Sequence, residues 1–270
     1  MSARPDRIQV WRKSMPRCSR CPLAPLCIPT GLGQDEIGPL DVEIDRRVRI
    51  RKGQPLFRQG DAHARIYAVR SGTLKAHRYI EDGREQTTGF RMQGDVLGLD
   101  SIDEPHHVST ATALEDSEIC ALPGARASAD HARPALIERQ LLRLASREIR
   151  RDDAVRFTLS AMSAEGRVAW FLLSLSERFT ARGYSGVEFN LRMTRDDIGR
   201  YLGIQLETVS RSLSRFTNEG WVAIAHRRVR LLDRDALGRI GAGAAPDNAA
   251  HAAAARAISP TAVLSASMFV

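Results

Sequence analysis

The 270-residue chain is poor in lysine, in long apolar runs and in catalytic signatures. No run approaches the roughly 18 consecutive apolar residues of a membrane span. The opening MSARPDRIQVWRKSMPRCSRC lacks an apolar h-region. The expectation is therefore neither a secreted nor a membrane protein but a cytoplasmic one. No Ser/His/Asp triad, no G-x-x-x-x-G-K-[ST] and no glycine-rich dinucleotide signature is present. The carboxylate pairs Asp152/Asp153 and Asp196/Asp197 read as solvated or capping groups on helices. Nothing points to an enzyme, and a zinc-stapled enzyme or adaptor is the weaker reading. Only Lys13, Lys52 and Lys75 are lysines among 40 Lys and Arg. The net charge of +8 is thus an arginine excess. Guanidinium forks match phosphate and guanine geometry, which favours a nucleic-acid partner, although Arg-rich codon usage would give the same total.

Cysteine is scarce but clustered. Of Cys18, Cys21, Cys27 and Cys120, the first three form C-x2-C-x5-C, stiffened by Pro22, Pro25 and Pro29. In a reducing compartment this spacing favours a metal centre over disulfides. Cys120, on a predicted strand, is the candidate fourth ligand, and four thiolates suit a tetrahedral zinc or an iron–sulfur cluster alike. No Cys-His arrangement supports a catalytic thiol. His106 and His107 are adjacent and read as loop residues.

Five regions follow from the patterning. Residues 1–37 are a basic, Pro-rich, cysteine-bearing arm with no core of its own. Residues 38–130 carry short apolar or alternating runs, among them Val48–Ile50, Ile66–Val69, Thr73–Ala76, Thr87–Phe90 and Glu118–Leu122, punctuated by glycine. That is the pattern of an all-β barrel or roll. Residues 131–160 predict a long helix opened by Pro134. Leu142, Ala145, Ile149 and Asp152 recur three, four and three apart, the spacing of a pairing seam. A second row, Leu136/Ile137, Leu141, Leu144 and again Ile149, gives that helix a face for its own domain. Two copies of Asp152 meeting across such a seam would oppose association; the alternative is that Asp152 sits at a splayed, wet end of the seam or pairs with Arg150, Arg151 or Arg156.

Residues 161–237 begin with a helix whose face is Val168, Phe171, Leu172, Leu175 and Phe179, broken by Gly183 and Gly186. Next, Thr194 caps a short helix with Asp197 three residues on, and Gly203 makes a turn. Ile204, Val209, Leu213 and Phe216 line the apolar side of a second helix. This helix–turn–helix presents Gln205, Glu207, Thr208, Ser210, Arg211 and Arg215 outward, residue types suited to base edges in a major groove. Glu207, four residues before Arg211, is placed to orient it. Trp221–Ala225 and Arg228–Leu232 read as a two-strand wing whose Arg227, Arg228 and Arg230 suit phosphates. Residues 238–270 are an Ala-rich tail, read as poorly ordered, with weak helical character over His251–Ile258.

Together these segments resemble the FNR-type oxygen-sensing transcription regulators of the CRP–FNR superfamily. The likeness spans Cys18 to Ala236. It rests on the four cysteines, with Cys27-Ile28-Pro29, on Gly53-Gln-Pro-Leu-Phe57, Gln59-Gly60-Asp61, Tyr67-Ala-Val-Arg-Ser-Gly72 and Gly94-Asp-Val-Leu-Gly98, and on Glu207-Thr-Val-Ser-Arg211. The resemblance implies an α+β chain: a cyclic-nucleotide-binding-like β-roll (jelly roll) sensor domain, a long dimerisation helix and a C-terminal winged helix–turn–helix. It implies a [4Fe-4S] cluster on Cys18, Cys21, Cys27 and Cys120. Oxygen would convert it to [2Fe-2S] and then to apoprotein, with loss of DNA binding. It also implies a homodimer on double-stranded DNA with palindromic TTGAT half-sites read by Glu207, Ser210 and Arg211, and RNA polymerase as partner. No cyclic nucleotide is expected, because Gly98–His107 offers acidic residues and no Arg. Three features depart from the pattern. Arg84 follows Glu81-Asp82-Gly83 where the family often has an acidic polymerase contact, the wing Ala225-His-Arg-Arg-Val lacks a turn glycine, and the Ala-rich tail has no counterpart.

Overall fold

A computed structural model describes residues 9–11, 17–43, 46–123 and 135–241. The predicted helical character of His251–Ile258, and Pro134, lie outside the described residues. The chain divides into two compact units, 1–147 and 148–270.

The first unit is the expected roll. One sheet joins β1 (Gln9–Trp11), β2 (Arg46–Ile50), β4 (Arg65–Ser71), β7 (Val96–Leu97) and β9 (Ser117–Pro123) in the order β1-β2-β9-β4-β7. The other joins β3 (Pro55–Phe57), β5 (Leu74–Tyr79), β6 (Glu85–Arg91) and β8 (Thr110–Ala113) in the order β3-β8-β5-β6. Every pairing is antiparallel. The two-residue period sorts side chains into two cores. Val48, Ile50, Leu56, Val69, Leu74, Leu97 and Ile119 fill one. Ile66, Ala68, Val96 and Leu122 fill the second, together with Cys18, Ile28, helix α1 (Gln34–Glu43) through Ile37 and Leu40, and helix α2 (Ala135–Ala161) through Ile137, Leu141 and Leu144.

Two expectations change here. The boundary at residue 37 is crossed by α1, and the arm contributes to the roll: Cys18 and Ile28 are buried in its second core, and Gln9–Trp11 adds a strand to the sheet. Ile149 does not serve both faces of α2. It stands 62% exposed, with Leu142 at 73%, so it belongs to the outward row alone. The helix turns 100° per residue, and eight positions beyond Leu141 the drift has carried Ile149 off the inward face.

The second unit contains the remainder of α2, helix α3 (Ala164–Thr180), strand β10 (Glu188–Asn190), helices α4 (Arg195–Leu202) and α5 (Leu206–Asn218), strands β11 (Val222–Ala225) and β12 (Arg228–Leu231), and helix α6 (Arg234–Gly241). Ser163 caps α3 by accepting from Gly166 N at 3.1 Å. Val168, Phe171, Leu172 and Leu175 are buried on its predicted face. The wing is three-stranded, ordered β10-β12-β11. α6 runs to Gly241, three residues past the expected start of the tail, and buries Ala236 and Leu237. No described helix is long and apolar enough to cross a membrane.

Candidate metal centre and nucleic-acid interface

All four cysteines line one cavity, walled by Leu23, Ala24, Ile28 and Pro29 from the N-terminal loop and by Ala68, Val69 and Arg70 from β4. The loop is built from successive tight turns. Cys21 N donates to Cys18 O at 3.1 Å, and Cys27 N to Leu23 O at 3.0 Å. Ser19 pins it to α1, its amide donating to Asp41 Oδ1 at 3.1 Å and its hydroxyl to Oδ2 at 2.5 Å. Cys120 arrives from β9. Alternation sends Ile119 into the roll interior and Cys120 to the outer face. There its cross-strand neighbours are Arg47 on β2 and Ala68 on β4.

Burial pushes the Cys18 thiol above its ordinary range, with Cys27 and Cys120 adding repulsion. It pushes Cys27 up to about 12. Burial also raises Cys120, against the pull of Arg70 and Arg47. These thiols are therefore protonated at neutral pH unless a cationic centre draws off their protons. The surroundings suit such a centre. Arg70 Nη1 donates toward Cys21 Sγ at 3.6 Å, and Arg47 Nε is buried without a hydrogen-bond partner. The donor set is soft, the walls are apolar and two guanidiniums offset thiolate charge, so the residues fit an iron–sulfur group. Among the described residues no three His, Cys, Asp or Glu side chains are arranged to hold a single metal ion. A tetrahedral zinc with Zn–S near 2.3 Å needs its sulfurs within about 3.8 Å of each other.

The helix–turn–helix is built as its residues dictate. Thr194 and Asp197 form a reciprocal capping box at the start of α4. Gly203 ends it in the left-handed region at φ 64°, where a Cβ is costly. Gly199, which sequence reasoning passed over, lets the next segment cross closely: a Cβ there would lie 2.7 Å from Ile204 O. Arg167 on α3 donates to Leu202 O at 3.2 Å and to Met162 O at 3.1 Å, tying the two helices. On α5, Val209, Leu213 and Phe216 are buried. Gln205, Glu207 and Arg211 are exposed, and Thr208 and Ser210 half-buried.

The outward set is not uniform. Glu207 and Arg211 do not pair with each other, so the anticipated orienting contact is absent. Arg215 is held by Glu165 of α3 at 2.5 Å, which makes it first a brace of the domain. Arg195 Nη1 donates to Ser210 Oγ at 3.2 Å. In the wing, His226 takes the positive φ of 56° that a turn glycine would fill. Arg227 braces Arg192 O at 3.0 Å and Arg228 lies 3.6 Å from Glu188, while Arg230 points outward. At the β5–β6 tip Arg84 pairs with Asp82 at 2.6 Å.

On α2, Leu142, Ile149 and Asp152 are exposed and Ala145 is half-buried. Sequence reasoning read His106 and His107 as loop residues and passed over His63; His63 and His107 are both buried, at 4% and 2% exposure. Their rings meet edge to face at 4.7 Å, and His107 stacks on Phe57 at 3.8 Å.

The roll followed by the winged helix–turn–helix defines a class: a sensor-domain DNA-binding regulator. Comparison with known proteins agrees. The cyclic nucleotide-binding domain family matches residues 47–128, and the Crp-like helix-turn-helix domain family matches residues 166–240. The chain is 44% identical over 220 residues to the transcriptional regulatory protein btr of Bordetella pertussis, covering 82% of this chain and 91% of that one. It is 42% identical over 223 residues to the fumarate and nitrate reduction regulatory protein of Escherichia coli, covering 83% and 89% respectively. The structure of FixK2 from Bradyrhizobium japonicum superposes with a TM-score of 0.66 at 30% identity, covering 74% of this chain and 98% of that one. The chain belongs to the CRP–FNR family, as an FNR-type transcription regulator with a DNA-binding helix–turn–helix, and is not an enzyme.

Proposed function

We propose that this regulator senses oxygen through a [4Fe-4S] cluster held by Cys18, Cys21, Cys27 and Cys120, and that it binds palindromic TTGAT-type sites as a cytoplasmic homodimer when oxygen is scarce. The observation that carries this reading is the shared cavity of the four cysteines, walled by soft and apolar groups and flanked by Arg47 and Arg70. The cluster, when bound, supplies the oxygen-labile iron–sulfur chemistry. The chain supplies the rest. The turns over 18–31 set the spacing of three thiols, β9 supplies the fourth, and the two arginines offset thiolate charge.

The exposed Leu142 and Ile149 suit pairing with a second copy. A dimer matters because two recognition helices must sit about 34 Å apart to read a two-fold site. Glu207, Ser210 and Arg211 are the base-reading candidates, with Gln205 and Thr208 beside them. Arg215 contributes to DNA only if it leaves Glu165. RNA polymerase is the partner such a regulator requires, and the Asp82–Arg84 pair leaves the β5–β6 tip without a free carboxylate at Asp82. A cyclic nucleotide is disfavoured. Gly98–His107 carries no Arg, and the rings of Phe57, Tyr67 and His107 pack beside it.

Fluorescence anisotropy with a TTGAT palindrome tests the reading, on protein prepared without oxygen and again after air. Binding in the first state alone is expected. Arg211→Ala should lose about 1–3 kcal/mol and relax discrimination at one base pair. Equal binding with and without air would overturn the oxygen reading.

A further inference from the structure

One buried polar contact joins the cysteine loop to the helix that carries the outward row. Gln140 of α2 is 1% exposed. A buried amide costs free energy unless it is paired, and a Leu or Met would fill the site without that demand. The Gln140 side-chain amide donates to the Thr30 carbonyl at 3.2 Å. One turn on, Arg143 Nη1 donates to the same carbonyl at 3.3 Å. Thr30 is in turn tied to a cysteine: its amide donates to Cys27 O at 3.0 Å and its hydroxyl to the same oxygen at 2.6 Å. Gly31 follows at φ 77°, and a Cβ there would come within 2.6 Å of Arg143 Nη1. Between Gln140 and Arg143 stands Leu142, 73% exposed on the opposite side of the helix. The same turn of α2 thus grips the Cys27 loop and presents the pairing row.

We propose that Gln140 is a positioning residue that transmits the state of the cysteine loop to the pairing face of α2, with Arg143 as its second hand on Thr30. The inference rests on the cluster-and-dimer reading above. A shift of the Cys27 turn moves Thr30 O, and two donors three residues apart on one rigid helix must follow it or let go. Ile137, Leu141 and Leu144 pack the helix against the same core but are apolar and set no register by themselves.

The test uses the full chain carrying Gln140→Met, which keeps volume and removes the donor. Iron, acid-labile sulfide and the visible spectrum are read without oxygen, and the monomer–dimer constant is read by sedimentation in the loaded and metal-free states. Expected is wild-type iron and sulfide, a loaded dimer weakened about tenfold, in the usual range of coupling between sites, and an unchanged metal-free constant. Loaded Gln140→Met that dimerises like wild type would overturn the proposal. So would parallel loss of cluster and dimer, since Gln140 would then merely hold the loop. If Gln140→Met does not fold, Arg143→Met, on the exposed side of the same carbonyl, must show the same split, and its failure to do so also overturns the proposal. Wild-type protein whose dimer constant ignores cluster loading would instead overturn the underlying reading, and this proposal with it.

Discussion

Acidification should destabilise the roll through His107. Its ring is 2% exposed, stacked on Phe57 and set edge-on to His63, and its Nδ1 has no hydrogen-bond partner. Burial, then the neighbouring His63, lowers its pKa from 6.5 to about 4, against the opposing pull of Asp100 and Asp61. Burial also lowers His63. In the folded state the imidazole stays neutral. In the unfolded state it takes a proton near 6.5. Its contribution is therefore complete above pH 6.5, declines as pH falls through the window from 6.5 to 4, and is gone below the folded value. A shift of about 2.5 units at 1.36 kcal/mol each amounts to about 3 kcal/mol, of which about 2 is lost by pH 5. Urea unfolding of metal-free protein, followed by circular dichroism at pH 7, 6 and 5, reads this directly. His107→Phe keeps a ring on Phe57 and removes the proton. Its stability should fall about 2 kcal/mol less than wild type between pH 7 and 5. Parallel curves for the two proteins would refute the assignment of a neutral, buried His107.

Three further outcomes follow from the geometry. Gly199→Ala should destabilise the second unit by about 1–2 kcal/mol, because the Cβ meets the Ile204 carbonyl, although Ala alone favours a helix by about 1 kcal/mol; thermal melts of the full chain followed by circular dichroism will read it. His226→Gly should raise stability by about 1 kcal/mol by relieving a left-handed non-glycine residue, seen as a higher midpoint in the same melts. In the proposed homodimer, Asp152→Ala removes a carboxylate from the pairing row of each copy and should give a dimer that persists in air; gel filtration showing only monomer would contradict that.

The fold was legible where the pattern is local. The period-2 runs became β2, β4, β5, β6 and β9, and the spacing of 142, 145 and 149 marked an outward row of α2. The Thr194/Asp197 cap and the Gly203 turn were legible because a cap and a left-handed turn restrict residue type within a few positions. Strands Gln9–Trp11 and Glu188–Asn190 were not. Each has three residues and takes its partner from a distant segment, such as Gln9 opposite Arg49. For the same reason the cysteines stood out but their arginines did not. Arg47 meets Cys120 only through the β2–β9 register, and Arg70 reaches Cys21 only once β4 lies beneath the loop. His107 does lie in a loop, but its burial was not legible because it depends on Phe57, 50 positions away. Arg215 looked like a base reader because its partner, Glu165, also lies 50 positions off.

The central claim is a cluster on four thiols, and the most direct measurement is the visible spectrum of protein purified without oxygen, with iron and acid-labile sulfide assays, repeated after air and on Cys120→Ser. Brown protein with iron and sulfide in about equal amounts, bleached by air and colourless in Cys120→Ser, is the predicted result. Colourless wild-type protein carrying zinc and indifferent to air would contradict the account and leave a DNA-binding regulator with a structural staple.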